Sequence, residues 1–134
     1  MFLKMLSEES QKVFLQTCVL SAKANGAVVE EEQAMMSEYC HEMGYEEQIS
    51  WVDVPKERVL RDLSEIKSEQ DKRIILLEIL GLVKADNEYD IHEQALVGEV
   101  TTALGLSNTT SESIVALLDK YLDTCKELAA AVLD

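Results

Sequence analysis

The residues of this chain that could do chemistry are mostly carboxylates, and they gather at two turns. In Asp86-Asn87-Glu88-Tyr89-Asp90-Ile91-His92-Glu93, acids stand at alternate positions from Asp86 to Asp90 and a fourth follows at Glu93. Alternate carboxylates in a non-helical turn can converge, and an all-oxygen ligand set suits a hard divalent cation such as Ca²⁺ or Mg²⁺. The turn is not an EF-hand: counted from Asp86, position six is Ile91 where glycine is needed, and position twelve is Val97 where glutamate is needed. The same residues also have a structural explanation. Asp90 as a helix N-cap with Glu93 three residues on would form a capping box worth on the order of 1 kcal/mol. Both roles are compatible if Glu93 caps and also shares a ligand.

The other turn contains Asn25-Gly26 and leads into Glu30-Glu31-Glu32. Acids at a helix start interact favourably with its dipole, so a solvated role is expected here. Asn25 and Glu32 are the candidates for any cation held at this turn. His41 follows Cys40, and helical neighbours point about 100° apart, which makes them poor joint ligands. His92 could donate a nitrogen, but a surface histidine near a helix start is the simpler expectation. Cys18, Cys40 and Cys125 are odd in number and lack Cys-x-x-Cys spacing. They are read as small core residues in a reducing compartment. Glu78 interrupts an apolar run; it either faces a gap between helices, pairing with Lys or Arg, or is a buried functional acid with a raised pKa. Phosphate loops, Gly-x-Ser-x-Gly, His-Glu-x-x-His and a nucleophile–base pairing are all missing from the sequence, so no enzyme activity is expected.

The elements that must position these residues are helices. One proline, five glycines and no strand-like alternation predict an all-α, single-domain bundle of about six or seven helices over residues 1–134. Ser7 is expected to cap a helix to about Ala24, with Val13, Phe14, Thr17, Cys18, Leu20 and Ser21 on its buried stripe. A second helix is expected from Glu30 to Met43, ended by Gly44. A short third begins at Pro55 and runs to about Leu63. Ser68 opens a fourth, apolar nearly all round from Ile74 to Val83 and ended by Asp86-Asn87, which should be the central strut. A fifth runs from Ile91 to Leu104 and stops at Gly105. The last, from about Thr110 to Val132, carries one apolar stripe, and any uncovered part of it would be a natural docking face.

The chain repeats itself. From Lys23 to Gly44, seven of 22 positions are identical to those 61 residues later: Lys23/Lys84, Ala24/Ala85, Glu32/Glu93, Gln33/Gln94, Ala34/Ala95, Glu38/Glu99 and Gly44/Gly105. Chance would give about one or two, so a helix–turn–helix unit, roughly 10–45 and 71–106, is read as duplicated about a pseudo-two-fold axis. Ala24-Asn25-Gly26 with Glu32, and Ala85-Asp86-Asn87 with Glu93, make the chain resemble the TerB-like tellurite-resistance domain family over nearly its whole length. That resemblance implies two similar helical halves, an acidic surface proposed to hold metal cations, and a bacterial stress role beside membrane-associated partners. This chain has Asn25 where that family has Asp, and Asn87 where it has Gly.

Charge points the same way. Twelve Lys and Arg against 26 Asp and Glu give a net charge of −14, which opposes binding to nucleic acid or an anionic membrane and favours cations or a basic protein partner. Residues 25–54 hold eight acids and no Lys or Arg, whereas residues 56–84 hold seven of the twelve bases. The longest nearly uncharged stretch is about half a membrane span, and a soluble, cytoplasmic protein is expected. The expectation is therefore a non-enzymatic, TerB-like acidic domain that binds or senses a divalent cation through Asp86, Glu88, Asp90, Glu93, Asn25 and Glu32. The alternative is a metal-free adaptor that uses its acidic face or its last helix, and a weaker third is a metal-dependent hydrolase built on clustered carboxylates. A homodimer through the last helix is compatible with all three.

Overall fold

The computed structural model describes residues 1–24, 30–44, 54–84 and 91–134. Six α-helices are present among them: α1 (Glu8–Lys23), α2 (Glu30–Met43), α3 (Lys56–Ser64), α4 (Glu69–Val83), α5 (Ile91–Leu104) and α6 (Asn108–Leu133), preceded by one 3₁₀ turn, Leu3–Met5. The described residues contain no strand. Three helices start on serine caps. Ser7 Oγ accepts the Ser10 amide at 3.2 Å, Ser68 Oγ the Asp71 amide at 3.2 Å and Ser107 Oγ the Thr110 amide at 3.1 Å. Each satisfies one of the donors a helix start leaves unpaired. Gly44 and Gly105 end α2 and α5 at φ of +76° and +69°, left-handed positions that a side chain would strain.

The duplication extends beyond the identical residues. The capping serines Ser7 and Ser68 are 61 residues apart, as are the starts of α1 and α4, the starts and ends of α2 and α5, and the two terminating glycines. The α1–α2 and α4–α5 pairs thus match in their starts, their spacing and the glycines that end them. Ser10 and Asp71 occupy equivalent positions, and they touch: Ser10 Oγ donates to Asp71 Oδ2 at 2.7 Å, with Ser7 Oγ on the same oxygen at 3.3 Å. A contact between equivalent positions is what two units packed about a two-fold axis would make.

Around that axis α4 is the strut the sequence predicts. Ile74, Ile75, Leu76, Ile79, Leu80, Leu82 and Val83 are all buried, and α1, α5, α6 and the 3₁₀ turn pack on it. On α1 the buried face is Phe14, Thr17, Cys18, Val19, Ser21 and Ala22, with Val13 and Leu20 only partly covered. The Phe14 and Tyr39 rings meet edge-on-tilted at 5.4 Å and 58°. The symmetry then breaks. α3 packs on both α1 and α5, whereas its counterpart α6 packs chiefly on α4, and it is the 3₁₀ turn that covers α2 with Leu3 and Leu6 buried.

The helix stop expected at Asp86-Asn87 lies, with Trp51, outside the described residues, and α4 is described to Val83 and its cap Lys84. Two sequence expectations need correction. Cys125 is exposed, because no described residue packs against this part of α6; only Cys18 and Cys40 are buried. α6 begins two residues earlier than expected because Ser107, not a later residue, caps it.

Burial pushes the Cys18 thiol well above its ordinary 9.0, with Cys40 and Glu78 adding to it, and pushes the Tyr39 phenol above its ordinary 10.0, with Cys18 and the acids Glu78, Glu42 and Glu38 adding. Both groups are neutral in the fold but ionise once unfolded above those values. Their contribution to stability is therefore full below about pH 9 and is lost as pH rises further. Tyr39 also donates from its hydroxyl to the Glu78 carbonyl at 3.3 Å. Tyr39→Phe should cost about 1 kcal/mol at pH 7 by urea unfolding and make the alkaline loss of stability shallower.

Candidate functional site

The two acidic turns are the sites that the sequence singles out. Asn25, Asp86, Glu88 and Asp90 lie outside the described residues. Glu32 and Glu93 are described and behave alike. Each is the third residue of its helix, 61 positions apart, with only 5% and 3% of its surface exposed, and each has an interaction partner. The solvated role expected for the first triplet thus holds for Glu30 and Glu31 and fails for Glu32. Lys23 and Ala24, entering the first turn, and His92 and Ala95, leaving the second, line one depression of about 440 Å³. The flanks of both turns therefore share one end of the bundle. Lys56 crosses that depression to Glu99 at 3.1 Å. His92 is exposed, as expected of a surface histidine. Among the described residues, no three His, Cys, Asp or Glu side chains are grouped to hold a metal.

A second site emerges where the symmetry breaks. Between the N-terminal segment, α4 and α6 lies a groove of about 580 Å³. Met1, Phe2 and Met5 form one wall, Ile114, Leu117, Leu118 and Tyr121 the other, and Ile74 and Leu77 the floor, with Gln70 and Arg73 as its long polar side chains. Two acids hold the first wall in place. Glu78 Oε1 accepts the Met1 ammonium and the Phe2 amide (3.3 Å), and Glu42 Oε2 accepts the Leu3 amide at 2.8 Å. Burial lowers the ammonium pKa, but the hydrogen bond and charge of Glu78, helped by Glu42, outweigh this and hold it above its ordinary 8.0. Glu78 does face a gap between helices, and what fills the gap is main-chain nitrogen rather than Lys or Arg.

The groove continues into bare helix. From Asp123 to Asp134 every residue is exposed, although Leu128, Val132 and Leu133 are apolar and 63%, 72% and 80% exposed. No helix among the described residues is long and apolar enough to cross a membrane, so this stripe is not a span. Sequence reasoning named any uncovered part of α6 as a docking face but missed the groove and Glu42. The available signal was the cluster of large apolar residues Met1-Phe2-Leu3 and Met5-Leu6 ahead of the Ser7 cap.

Removing the anchor should show in the wall before it shows in the core. Glu78→Ala is expected to lower stability by about 1–3 kcal/mol in urea unfolding, because it removes the charged acceptor shared by the Met1 ammonium and the Phe2 amide, and to speed hydrogen exchange at the Phe2 and Leu3 amides. Glu42→Ala should have the smaller effect on stability, since that carboxylate is 31% exposed and water can replace it.

No protein-family model, no curated protein and no solved structure matches this chain.

Proposed function

We propose that this protein works without catalysis, as an interaction module whose docking face is the groove between the N-terminal segment, α4 and α6 together with the free half of α6. The observation that carries this reading is continuity. Met1, Phe2, Met5, Leu117 and Tyr121 around the groove are between 47% and 63% exposed, and the apolar stripe runs on from Tyr121 through Leu128 to Val132. Soluble chains rarely leave so much contiguous apolar surface in water unless something covers it. A trough of this shape, apolar inside with a sparse polar rim, is what an amphipathic helix lays its apolar face into. Specificity would come from Arg73 and Gln70 at the rim, affinity from the apolar floor.

A fluorescein-labelled synthetic helix with leucines at i, i+3, i+4 and i+7 is expected to bind, read by anisotropy. Leu117→Asp should weaken binding at least tenfold, about 1.4 kcal/mol, while changing stability by less than about 0.5 kcal/mol, because the side chain is 63% exposed. Absence of binding at millimolar peptide would remove this reading.

The TerB-like reading remains the second proposal: a divalent cation bound or sensed at the acidic turns in a tellurite-type stress role. What favours it is the matched burial of Glu32 and Glu93 at equivalent helix starts on one end of the bundle. Titration with Ca²⁺, Mg²⁺ and Mn²⁺ should then shift the amide resonances of Asp86, Asp90 and Glu93. Unmoved spectra at millimolar metal would end it.

A further inference from the structure

We infer that the occupant of the docking face is a second copy of this chain, with the two α6 helices antiparallel, so that each free half fills the other copy's groove. The inference rests on the docking face proposed above and names its partner.

The first argument is the pattern along α6. Ile114, Leu118, Tyr121, Cys125, Leu128 and Val132 follow one another at steps of 4, 3, 4, 3 and 4. That is the seven-residue seam of paired helices, sustained past the point where the chain's own α4 stops covering it. Flanking the seam are Val115, Leu117, Leu122, Thr124, Ala129 and Ala131, none of them charged. Every charge between Ile114 and Leu133 (Asp119, Lys120, Asp123, Lys126 and Glu127) falls on the opposite side. A solvated amphipathic helix would have no reason to keep its flanks neutral. A helix that meets another helix does, and the alanines let the backbones come close.

Charge gives the second argument. Two copies each carrying −14 repel overall, yet the seam of α6 and both its flanks carry no charge at all. Contact along that stripe therefore sets no acid against acid. Orientation follows from the groove. Antiparallel packing sets the partner's Val132 beside Leu117 and the partner's Leu128 beside Tyr121, closing both grooves at once. Parallel packing would stack Leu128 on its own mate and leave both grooves open. The antiparallel pair also keeps the two acidic bodies at opposite ends of the joined helices.

The area suffices. Seven large apolar side chains on this face (Met1, Phe2 and Met5 on one wall, Leu117, Tyr121, Leu128 and Val132 on α6) are between 47% and 72% exposed. At roughly 100 Å² apiece, they offer about 700 Å², close to the ~800 Å² per partner that a stable pair needs.

Sedimentation equilibrium on the full chain, from about 10 to 200 μM, tests the inference. The expected result is a mass near 30 kDa, twice the 15.0 kDa of one chain, and an association that tightens with added salt as repulsion is screened. The Leu128→Asp, Val132→Asp double variant should dissociate at least 100-fold more readily with an unchanged circular dichroism spectrum, both positions being exposed in the single chain. In a Cys125→Ser background, mixing Leu117→Cys with Val132→Cys protein should give a disulfide-linked mixed dimer on oxidation. A Val132→Cys variant that links to itself instead would overturn the antiparallel arrangement. A wild-type chain that sediments at 15 kDa at every concentration overturns the inference. If that monomer still binds the leucine-bearing peptide, the docking face stands and only its occupant was misassigned; if it binds neither, both readings fall.

Discussion

The constraint that organises this molecule is the apolar girth of α4. Ile74 to Val83 carry aliphatic side chains on nearly every side of the helix, with Glu78 as the one acid, so this helix has no face it can leave in water. Each direction has to be covered by some other element, and the fold is the answer to that requirement. α1 covers one side through the shared axis, α5 a second, α6 a third, and the N-terminal turn the last gap. The gap contains Glu78, whose carboxylate is only 5% exposed, and burying a carboxylate demands donors. The Met1 ammonium and the Phe2 amide supply them, which is why an otherwise ordinary chain start becomes a structural wall.

Duplication explains why the covering is good and also why it is incomplete. Two identical units packed about a two-fold axis would bury their apolar stripes equally. Here the halves carry different third helices: α3 has nine residues and closes over both α1 and α5, while α6 has 26 and runs off the body after meeting α4. The vacancy that α6 leaves over α2 is filled by Leu3 and Leu6, but between that filler and α6 a trough stays open. The groove is thus a consequence of breaking the symmetry, and it lies where the two differing third helices would have had to be alike.

Much of this was legible in the residues. Every helix start but that of α6 was readable to within a residue from serine caps, proline and acidic first turns, because capping is local chemistry that a sequence states directly. The two glycines at positive φ were readable for the same reason. The repeat offset of 61 read from seven identities also predicts the spacing of Ser7 and Ser68, which lie outside the aligned stretch. What could not be read was anything that depends on a helix meeting a segment far away in sequence. Glu32 looked like a solvated acid because dipole stabilisation alone explains it, and only packing shows it to be buried. Cys125 looked like a core residue because its position on the stripe is the same whether or not something covers the stripe. Of the six candidate ligands, Glu32 and Glu93 are placed, and their burial is equally good chemistry for fixing two helix starts as for supporting a ligand.

The charge of the molecule gives its apolar face a particular meaning. A net charge of −14 resists indiscriminate association, since any contact that buries acidic surface against acidic surface costs desolvation as well as repulsion. Such a background makes a single nearly neutral stripe selective without any specific recognition element: a partner either offers apolar surface on α6 and the groove or finds no favourable approach. Lys23 and His92, which flank the acidic turns in sequence, line one depression, and the groove is walled by Met1 and α6, so the cation-facing and partner-facing proposals concern different residues. They are linked only through α4, whose first turns floor the groove and whose last turn leads into the second acidic junction. A cation that tightened that junction would act on the groove only by shifting α4 along its axis, and packing on α1, α5 and α6 holds α4 against such a shift. The two proposals are therefore additive rather than coupled.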